Sequence, residues 1–537
     1  MPNRKINASN LPADIILSIV DFASCHYDLK DLHRLALQLS LVNRHWKAVV
    51  SDTAAYATAT FSISRASDVK RLRRWLAMPL RKLTQRGNVT VNVFNTDIYE
   101  LLGQSDRSLA KLNIATLNVN IHSDGVKKLL PRKLRAKYVS LSTEDAEQYL
   151  HPDSFTEDLR NNLRELQIEH LTPSGFHNLS QSQYNFGALT SFHFHVKWVD
   201  AIESGNLLKL MNFMPNLSTL DVAYIINEDY LSFSDDTPQL SLPPSMSKLA
   251  SLKTRNVMVD IEKCSLPNLQ QFDVTYEEDE KSLAYLSPHY PQVKLPLTAD
   301  KLCSLKAYNA SFDLLDRSLP NLKHLELRCN LLEYLGLDRN HYSIIRPYNP
   351  DCVLPTALDN LNTLKVSNVK VNLSQCSLSK LEHLEYESPS MLPDWGGLGS
   401  RLKVIDISYS NLASNHDLFK RETFQKLKTV RSFSMRGVKT SDIYDKLREG
   451  FFDGAMPLLE RIDISTEYHD VGTAALNRFI DTHPMLNTVI AEGNDDICAF
   501  AVSSALERLV TKVYNGKRRC TGVGNMNNPD NLRCIVY

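Results

Sequence analysis

Two histidines on one short segment are the side chains best placed for metal chemistry. His193 and His195 flank Phe194, and residues two apart on a strand share a face, so both imidazoles can point the same way. Imidazole is a common metal ligand, but a zinc site usually needs three or four protein ligands. No cysteine or carboxylate directly neighbours the pair in the sequence. We therefore interpret both histidines as solvent-facing strand residues.

The other patterns that could indicate catalysis or cofactor binding are incomplete. Gly522 and Gly524 lack the preceding strand, the spacing and the following helix of a dinucleotide site. The glycine-rich residues 395–399 open no helical pattern and predict a turn. The sequence contains no nucleophile elbow, Walker loop or His-Glu-x-x-His motif. We expect a non-catalytic chain that binds no cofactor.

Charged side chains between the apolar positions of short repeated segments are mostly acidic. The acidic residues are Glu165, Glu169, Asp221, Asp273, Glu326, Glu385, Glu387, Asp406 and Asp463, and the basic ones are Arg328, Lys365 and Arg461. The whole chain has 61 basic and 61 acidic residues, so this excess is local. An acidic surface would favour a basic or cationic partner segment. The alternative is that these carboxylates are ordinary solvent-facing residues without a partner.

Repeats of the form Leu-x-x-Leu-x-Leu carry these charged residues. Strands are predicted first at residues 89–93, 117–119 and 139–141. Clear copies then begin at Leu163, Leu189, Leu217, Leu269, Leu322, Leu361, Leu381, Leu402, Leu459 and Leu486, with weaker copies near Leu252, Leu305 and Val430. The last two apolar residues of each copy alternate with polar ones, as in a strand with one buried face. Most copies are separated by the roughly 20–29 residues typical of leucine-rich repeats.

These repeats predict an α/β fold, a leucine-rich-repeat solenoid over residues 89–494. It should contain a curved parallel sheet, with helices and irregular turns outside. The asparagine that usually follows the strand in such repeats is missing from most copies. The polar strand residues should line the concave side, where we predict that a protein substrate binds the following residues: Glu165, His193, His195, Asp221, Asp273, His324, Glu326, Lys365, Glu385, Asp406 and Asp463.

Three segments between repeats are longer than a repeat turn. They run over residues 227–244, 277–296 and 339–355. Insertions in solenoids emerge as loops, often at the binding face. Decoration without a partner is the alternative. At the far end, residues 495–537 are predicted to form a cap and tail, because an exposed terminal repeat needs a cover.

The first part of the chain differs from the repeats. Apolar residues recur at helical spacing in three short runs over residues 9–55, which predicts a small three-helix domain. A helical linker and the start of the solenoid are predicted over residues 56–88. The linker contains a basic segment at 70–86, which we interpret as a solvated helix face. We therefore do not expect nucleic acid as a partner.

This first domain resembles an F-box. Residues 11–19 read Leu-Pro-Ala-Asp-Ile-Ile-Leu-Ser-Ile, and Val42 and Trp46 match the closing Val-x-x-x-Trp. The resemblance covers residues 9–55, and the repeats that follow resemble those of F-box proteins with leucine-rich repeats. It implies that the domain binds a Skp-family adaptor through the following residues: Leu11, Pro12, Ile15, Ile16, Ile19, Leu41, Val42 and Trp46. The alternative is a helical cap for the solenoid.

The resemblance implies a substrate-recognition subunit of an SCF-type ubiquitin ligase, which contains a Skp adaptor, a cullin and a RING protein. Two other functions stay open. One is a scaffold that binds the adaptor without a cullin, as in some fungal F-box proteins, including a subunit of a centromere-binding complex. The other is a plain leucine-rich-repeat interaction module.

Targeting signals and cysteine usage favour an intracellular protein, cytoplasmic or nuclear. No apolar run approaches the roughly 20 residues that span a bilayer, and the N-terminus lacks the apolar core of a secretory signal. The nine cysteines are scattered and form no Cys-x-x-Cys pair, which is typical of a reduced protein. We expect no membrane as a partner.

Overall fold

A computed structural model describes most of the repeat region and isolated parts of the N- and C-terminal regions. The described residues are 12, 15–16, 46, 60–65, 67–68, 89–94, 114–121, 136–143, 150, 155–181, 185–196, 205–225, 238–276, 292–329, 351–371, 373, 376–387, 401–408, 425, 427–436, 453–463, 478–479, 481–486, 488–491 and 534–535. The chain divides into two compact units, residues 1–249 and 250–537.

Among its described residues, the first unit contains a parallel sheet and three short helices with defined bounds. In chain order its elements are β1 Thr60–Ile63, β2 Val89–Val93, β3 Ile114–Ile121, β4 Ala136–Thr143, α1 Glu157–Asn162, β5 Glu165–Leu171, α2 Pro173–Gln181, β6 Ser191–Val196, α3 Asn206–Asn212, β7 Thr219–Tyr224 and β8 Gln239–Ser241. Strands β1 to β7 pair in chain order, each parallel to the next.

Local sequence explains where the helices between these strands begin. The Thr156 hydroxyl accepts a hydrogen bond from Leu159 N at 3.4 Å and caps α1. Thr172 accepts one from Gly175 N at 3.1 Å, and Pro173 follows at the first helical position, where its missing N–H costs nothing. Phe176 of α2 packs edge-on against Phe194 of β6, with ring centroids 5.2 Å apart. The core of this unit therefore lies between the helices and the sheet.

The second unit has a longer parallel sheet and two small ones. Its elements are β9 Ser251–Arg255, β10 Met258–Asp260, β11 Gln271–Thr275, β12 Gln292–Lys294, β13 Ser304–Tyr308, β14 Ser311–Asp313, β15 His324–Arg328, β16 Asp351–Cys352, β17 Thr363–Ser367, β18 Lys370–Val371, β19 His383–Glu387, β20 Val404–Ser408, β21 Ser432–Arg436, β22 Arg461–Asp463, β23 Thr488–Ala491 and β24 Cys534–Ile535. The main sheet runs β9-β11-β13-β15-β17-β19-β20-β21-β22-β23, all parallel.

The remaining strands of this unit pair apart from the main parallel run. Strand β12 pairs with β14, and β16 with β18. The last strand, β24, pairs antiparallel with β23. An unpaired edge strand is open to association with other chains, so β24 covers β23 in the way expected of a C-terminal cap.

Three segments of 39 residues align without a gap: 238–276, 291–329 and 350–388. All three copies share a proline at the first position, which is Pro238, Pro291 or Pro350. They also share the lysine at 253, 306 and 365 and the asparagine at 256, 309 and 368. Each 39-residue copy therefore contains two strands of the main sheet. In the second copy these strands are β13 and β15.

The asparagines of these copies follow every second strand and hold the turn there. Asn309 and Asn368 have φ of 52° and 55°, in the left-handed region that asparagine tolerates. The Nδ2 group of Asn309 donates to the Tyr276 carbonyl, and that of Asn368 to the Cys329 carbonyl, both at 2.8 Å. Each asparagine therefore ties its turn to the preceding strand.

The predicted strands are confirmed, and the parallel sheets with few helices are those of a solenoid-like α/β repeat. Strand β1 was not predicted: the sheet of the first unit begins at Thr60, inside the expected helical linker. The first leucine position of a Leu-x-x-Leu-x-Leu copy is occupied there by Thr58, so the motif is incomplete. The expected long insertions also contain three short strands, β8, β12 and β16.

Several expectations fall on residues outside the described part of the chain. These are most of the helical domain at 9–55, the basic segment at 70–86 and most of the predicted cap at 495–537. Within the described residues, no helix combines the length and the apolar character needed to cross a membrane.

Candidate binding surface

One side of each parallel sheet is polar and partly exposed, and we call it the polar face. It arises because apolar and polar residues alternate along each strand, so that burial alternates too, as in β6 and β17. Side chains in register on neighbouring strands form rows, since adjacent parallel strands lie about 4.8 Å apart. Every described residue predicted to bind substrate lies on a strand of one of the two faces.

The polar face of the first unit brings His193 between two carboxylates. His193 Nδ1 lies 3.5 Å from Asp221 Oδ2, and its Nε2 lies 4.0 Å from Glu165 Oε1. The Ser191 hydroxyl is closer, at 2.7 Å from the same Nε2. The two ring nitrogens of His193 therefore face Asp221 on one side and Ser191 on the other, and Glu165 lies farther from the ring than either of them.

A cavity of about 280 Å³ opens beside Glu165. It is lined by Thr116, Asn118, Tyr138, Val139, Ser140, Glu165 and Gln167, which lie on the three neighbouring strands β3, β4 and β5. Tyr138 is 40% exposed, which is high for a large aromatic residue. The cavity therefore combines one carboxylate, one accessible ring and several neutral hydrogen-bonding groups.

The polar face of the second unit carries a row of charges that alternate in sign from Lys253 to Glu385. The middle positions of successive strands are Lys253, Asp273, Lys306, Glu326, Lys365, Glu385 and Asp406, and they are in register. We call this row the charge ladder. Its three lysines are the lysines shared by the 39-residue copies, and in all three copies a carboxylate (Asp273, Glu326 or Glu385) comes from the second strand of the same copy.

Ion pairs join neighbouring residues of the charge ladder. Lys365 Nζ lies 2.8 Å from Glu385 Oε2, and Lys306 Nζ lies 3.7 Å from Glu326 Oε2. Arg328 bridges both carboxylates, with Nε 2.8 Å from Glu326 Oε1 and Nη2 3.0 Å from Glu385 Oε1. The carboxylates of this part of the face are therefore neutralised within the chain.

The structure changes the charge balance expected from the sequence. The acidic excess was counted without strands β9 and β13, which add Lys253, Arg255 and Lys306. The prediction that Asp463 binds substrate needs correction. Asp463 is only 4% exposed, and its register neighbour Ser434 is also buried. Tyr138 was missed because the strand predicted at residues 139–141 begins earlier, at Ala136.

The described residues of the F-box-like segment divide into buried and exposed ones. Ile15 and Ile16 are helical, and Ile16 N donates to the Pro12 carbonyl at 3.1 Å. Ile16 and the helical Trp46 are buried, with exposures of 0% and 3%. Pro12 and Ile15 are exposed. The other predicted adaptor residues, Leu11, Ile19, Leu41 and Val42, lie outside the described residues.

The described residues include no cluster with obvious metal-binding or nucleophilic chemistry. No three of their His, Cys, Asp or Glu side chains converge as metal ligands. Burial raises the pKa of Cys352 to about 12, so its thiol stays protonated at neutral pH and is a poor nucleophile. Burial also raises the pKa of Tyr276. The arrangement of the polar faces is suited to binding.

Comparison with known proteins adds no relationship. No model of a protein family matches the chain, and no curated protein shows a significant match.

Proposed function

We propose that the protein is the substrate-recognition subunit of an SCF-type ubiquitin ligase. The F-box-like residues 9–55 would bind a Skp-family adaptor, and the polar faces would bind a protein substrate. The observation that carries the proposal is the pairing of an F-box-like sequence with parallel repeat sheets whose polar side is partly exposed. Such surfaces are typical of repeat proteins that bind other proteins.

The proposed role of the chain is to hold two partners together. A substrate bound on the polar faces would be kept near a ubiquitin-charged enzyme recruited through the adaptor and cullin. Tethering raises the effective concentration of the substrate lysines and replaces a collision between free molecules. The transfer chemistry would belong to the other subunits.

Burial within the F-box-like segment suggests different roles for its residues. Exposed Ile15 and Pro12 could contact an adaptor directly, since buried apolar contacts dominate interface energetics. Trp46 is almost fully buried in the chain. We therefore propose that Trp46 supports the fold of the segment, in place of the docking contact expected from its size.

Co-purification from cells tests the proposal. The intact chain should elute with both a Skp-family adaptor and a cullin. Ile15→Asp should lower adaptor recovery at least tenfold, because it places a charge in an apolar contact. Pro12→Ala should have a smaller effect. Leu297→Asp is a matched control, since Leu297 is 64% exposed and lies in the second unit, and it should leave adaptor recovery unchanged.

Each outcome separates one function from the others. Recovery of adaptor and cullin together supports the ligase. Adaptor without cullin would indicate the scaffold, and absence of both would leave the plain interaction module. Trp46→Ala should reduce both adaptor recovery and the thermal stability of the chain, whereas Ile15→Asp should reduce recovery alone.

A further inference from the structure

We propose that the cavity on β3, β4 and β5 binds an arginine side chain of the protein substrate. This inference rests on the proposed function, because that function makes the ligand a substrate. It adds where on the polar face the substrate binds and which chemical group is recognised. We call this cavity the arginine pocket.

Charge places a cationic group in the arginine pocket. The Glu165 carboxylate lines it, and the basic side chain closest to that carboxylate in the described residues is His193, whose Nε2 lies 4.0 Å away. That ring is engaged by Ser191 and Asp221. Glu326 and Glu385 of the second unit, in contrast, each contact a lysine and Arg328. Glu165 is therefore better able than those carboxylates to attract a partner's cation.

Shape and hydrogen bonding favour arginine over lysine. A guanidinium is planar and stacks on aromatic rings, and the half-exposed Tyr138 ring lines the pocket in register with Glu165. Five N–H donors can use the carboxylate together with the hydroxyl and amide oxygens of Thr116, Ser140 and Gln167. A lysine ammonium offers only three donors at one point.

Size and position further suit a single side chain on an extended partner. The volume of about 280 Å³ is just below the roughly 300–1,000 Å³ of cavities that hold drug-sized ligands. The cavity lies on the polar face beside further hydrogen-bonding residues, among them Ser142, whose hydroxyl donates to Glu169. A peptide crossing the strands could thus insert one arginine and place its backbone over these polar groups.

Three acetylated, amidated pentapeptides, Gly-Ser-X-Ser-Gly, test the pocket, with X as arginine, lysine or citrulline. Saturation-transfer NMR on the intact chain detects weak ligands of a 60.9 kDa protein. The arginine peptide should bind saturably, with a Kd at least fivefold lower than either other peptide. Citrulline keeps the shape of arginine without its charge. Equal affinities for arginine and citrulline, equal affinities for arginine and lysine, or no saturable binding of arginine would overturn the proposal.

Variants locate the binding. Glu165→Gln should raise the Kd of the arginine peptide by about tenfold or more, the size expected for loss of a hydrogen-bonded charge. Tyr138→Leu should raise it severalfold. Glu157→Gln is the matched control, because Glu157 is an exposed carboxylate of the same unit that lies on α1, outside the polar face, and it should leave the Kd unchanged. An unchanged Kd for Glu165→Gln, or an equal rise of the Kd in the control variant, would refute the assignment.

The arginine pocket and the proposed function can fail separately. Glu165→Gln lies far in sequence from the F-box-like residues and should retain adaptor and cullin in co-purification. Arginine binding without adaptor recovery would refute the ligase and keep the pocket. Recovery of adaptor and cullin without arginine binding would refute the pocket and keep the ligase.

Discussion

Asn309 combines two properties that no common substitute retains together. Its side chain is 1% exposed and donates to the Tyr276 carbonyl at 2.8 Å. Its backbone has φ of 52°, which most residues other than glycine, asparagine and aspartate avoid. One residue thus satisfies a buried carbonyl and allows the chain to leave strand β13. Asn368 in the next copy likewise has a positive φ and donates to a buried backbone carbonyl.

Asn309→Ala should lower the free energy of unfolding by about 2–4 kcal/mol, because it loses a buried hydrogen bond and strains a left-handed turn. Asn309→Gly should cost less, since glycine adopts this backbone freely. Chemical denaturation measures both values.

Asn321→Ala provides the control for this prediction. Asn321 also donates to a backbone carbonyl, that of Asp300, but the bond is exposed. Its loss should change stability by less than about 0.5 kcal/mol. Equal losses for Asn309→Ala and Asn321→Ala would show that the Asn309 bond does not hold the turn.

At the scale of strands, the charge ladder explains how ten parallel strands can carry many charges on one face. Like charges on directly neighbouring strands repel, and from Lys253 to Glu385 the ladder alternates in sign instead. Exposed ion pairs are worth little individually. The alternation is therefore more important for avoiding repulsion between strands than for adding stability.

Two substitutions of Lys365 separate these effects. Lys365→Met removes the pair with Glu385 and should cost less than about 1 kcal/mol. Lys365→Glu places a third carboxylate between Glu326 and Glu385 and should cost about 1–2 kcal/mol at low salt. The difference between the variants should shrink in 1 M salt, where the Debye length is about 3 Å.

Thermal unfolding at two salt concentrations measures this difference. Lys263→Glu is the control, because Lys263 is exposed and lies outside the charge ladder, and it should be nearly neutral. If Lys365→Met and Lys365→Glu unfolded alike at low salt, repulsion between strands would not contribute.

For the whole molecule, the strands could be predicted from sequence because burial dictates their pattern. Leu325 and Leu327 are both 1% exposed, and His324 and Glu326 alternate with them. The arginine pocket could not be predicted in this way, since Tyr138, Asn118 and Glu165 are far apart in sequence and meet only through strand register. The charge ladder was hidden because Lys253 and Lys306 lie on β9 and β13, where the copies near Leu252 and Leu305 are weak.

In a repeat protein whose copies contact only their neighbours, a destabilising substitution should loosen the structure mainly near the substituted residue. Each repeat is stabilised by its own core and by its adjacent interfaces. Leu364 is fully buried on β17, between β15 and β19 in the sheet. Leu364→Ala should lower stability by about 2–5 kcal/mol through the cavity it creates.

Hydrogen–deuterium exchange should reveal where that loss is felt. Peptides from β15, β17 and β19 should exchange faster in Leu364→Ala, whereas those from β9 and β11 in the same unit should change less, because several strands separate them from the cavity. Leu297→Ala is the matched control at a 64% exposed leucine and should leave exchange unchanged. Equal acceleration along all strands of the second unit would mean that the unit opens as one cooperative block. A substrate bound on the polar face would then be released together with the whole sheet, whereas local opening would allow one part of the face to exchange partners while the rest stays folded.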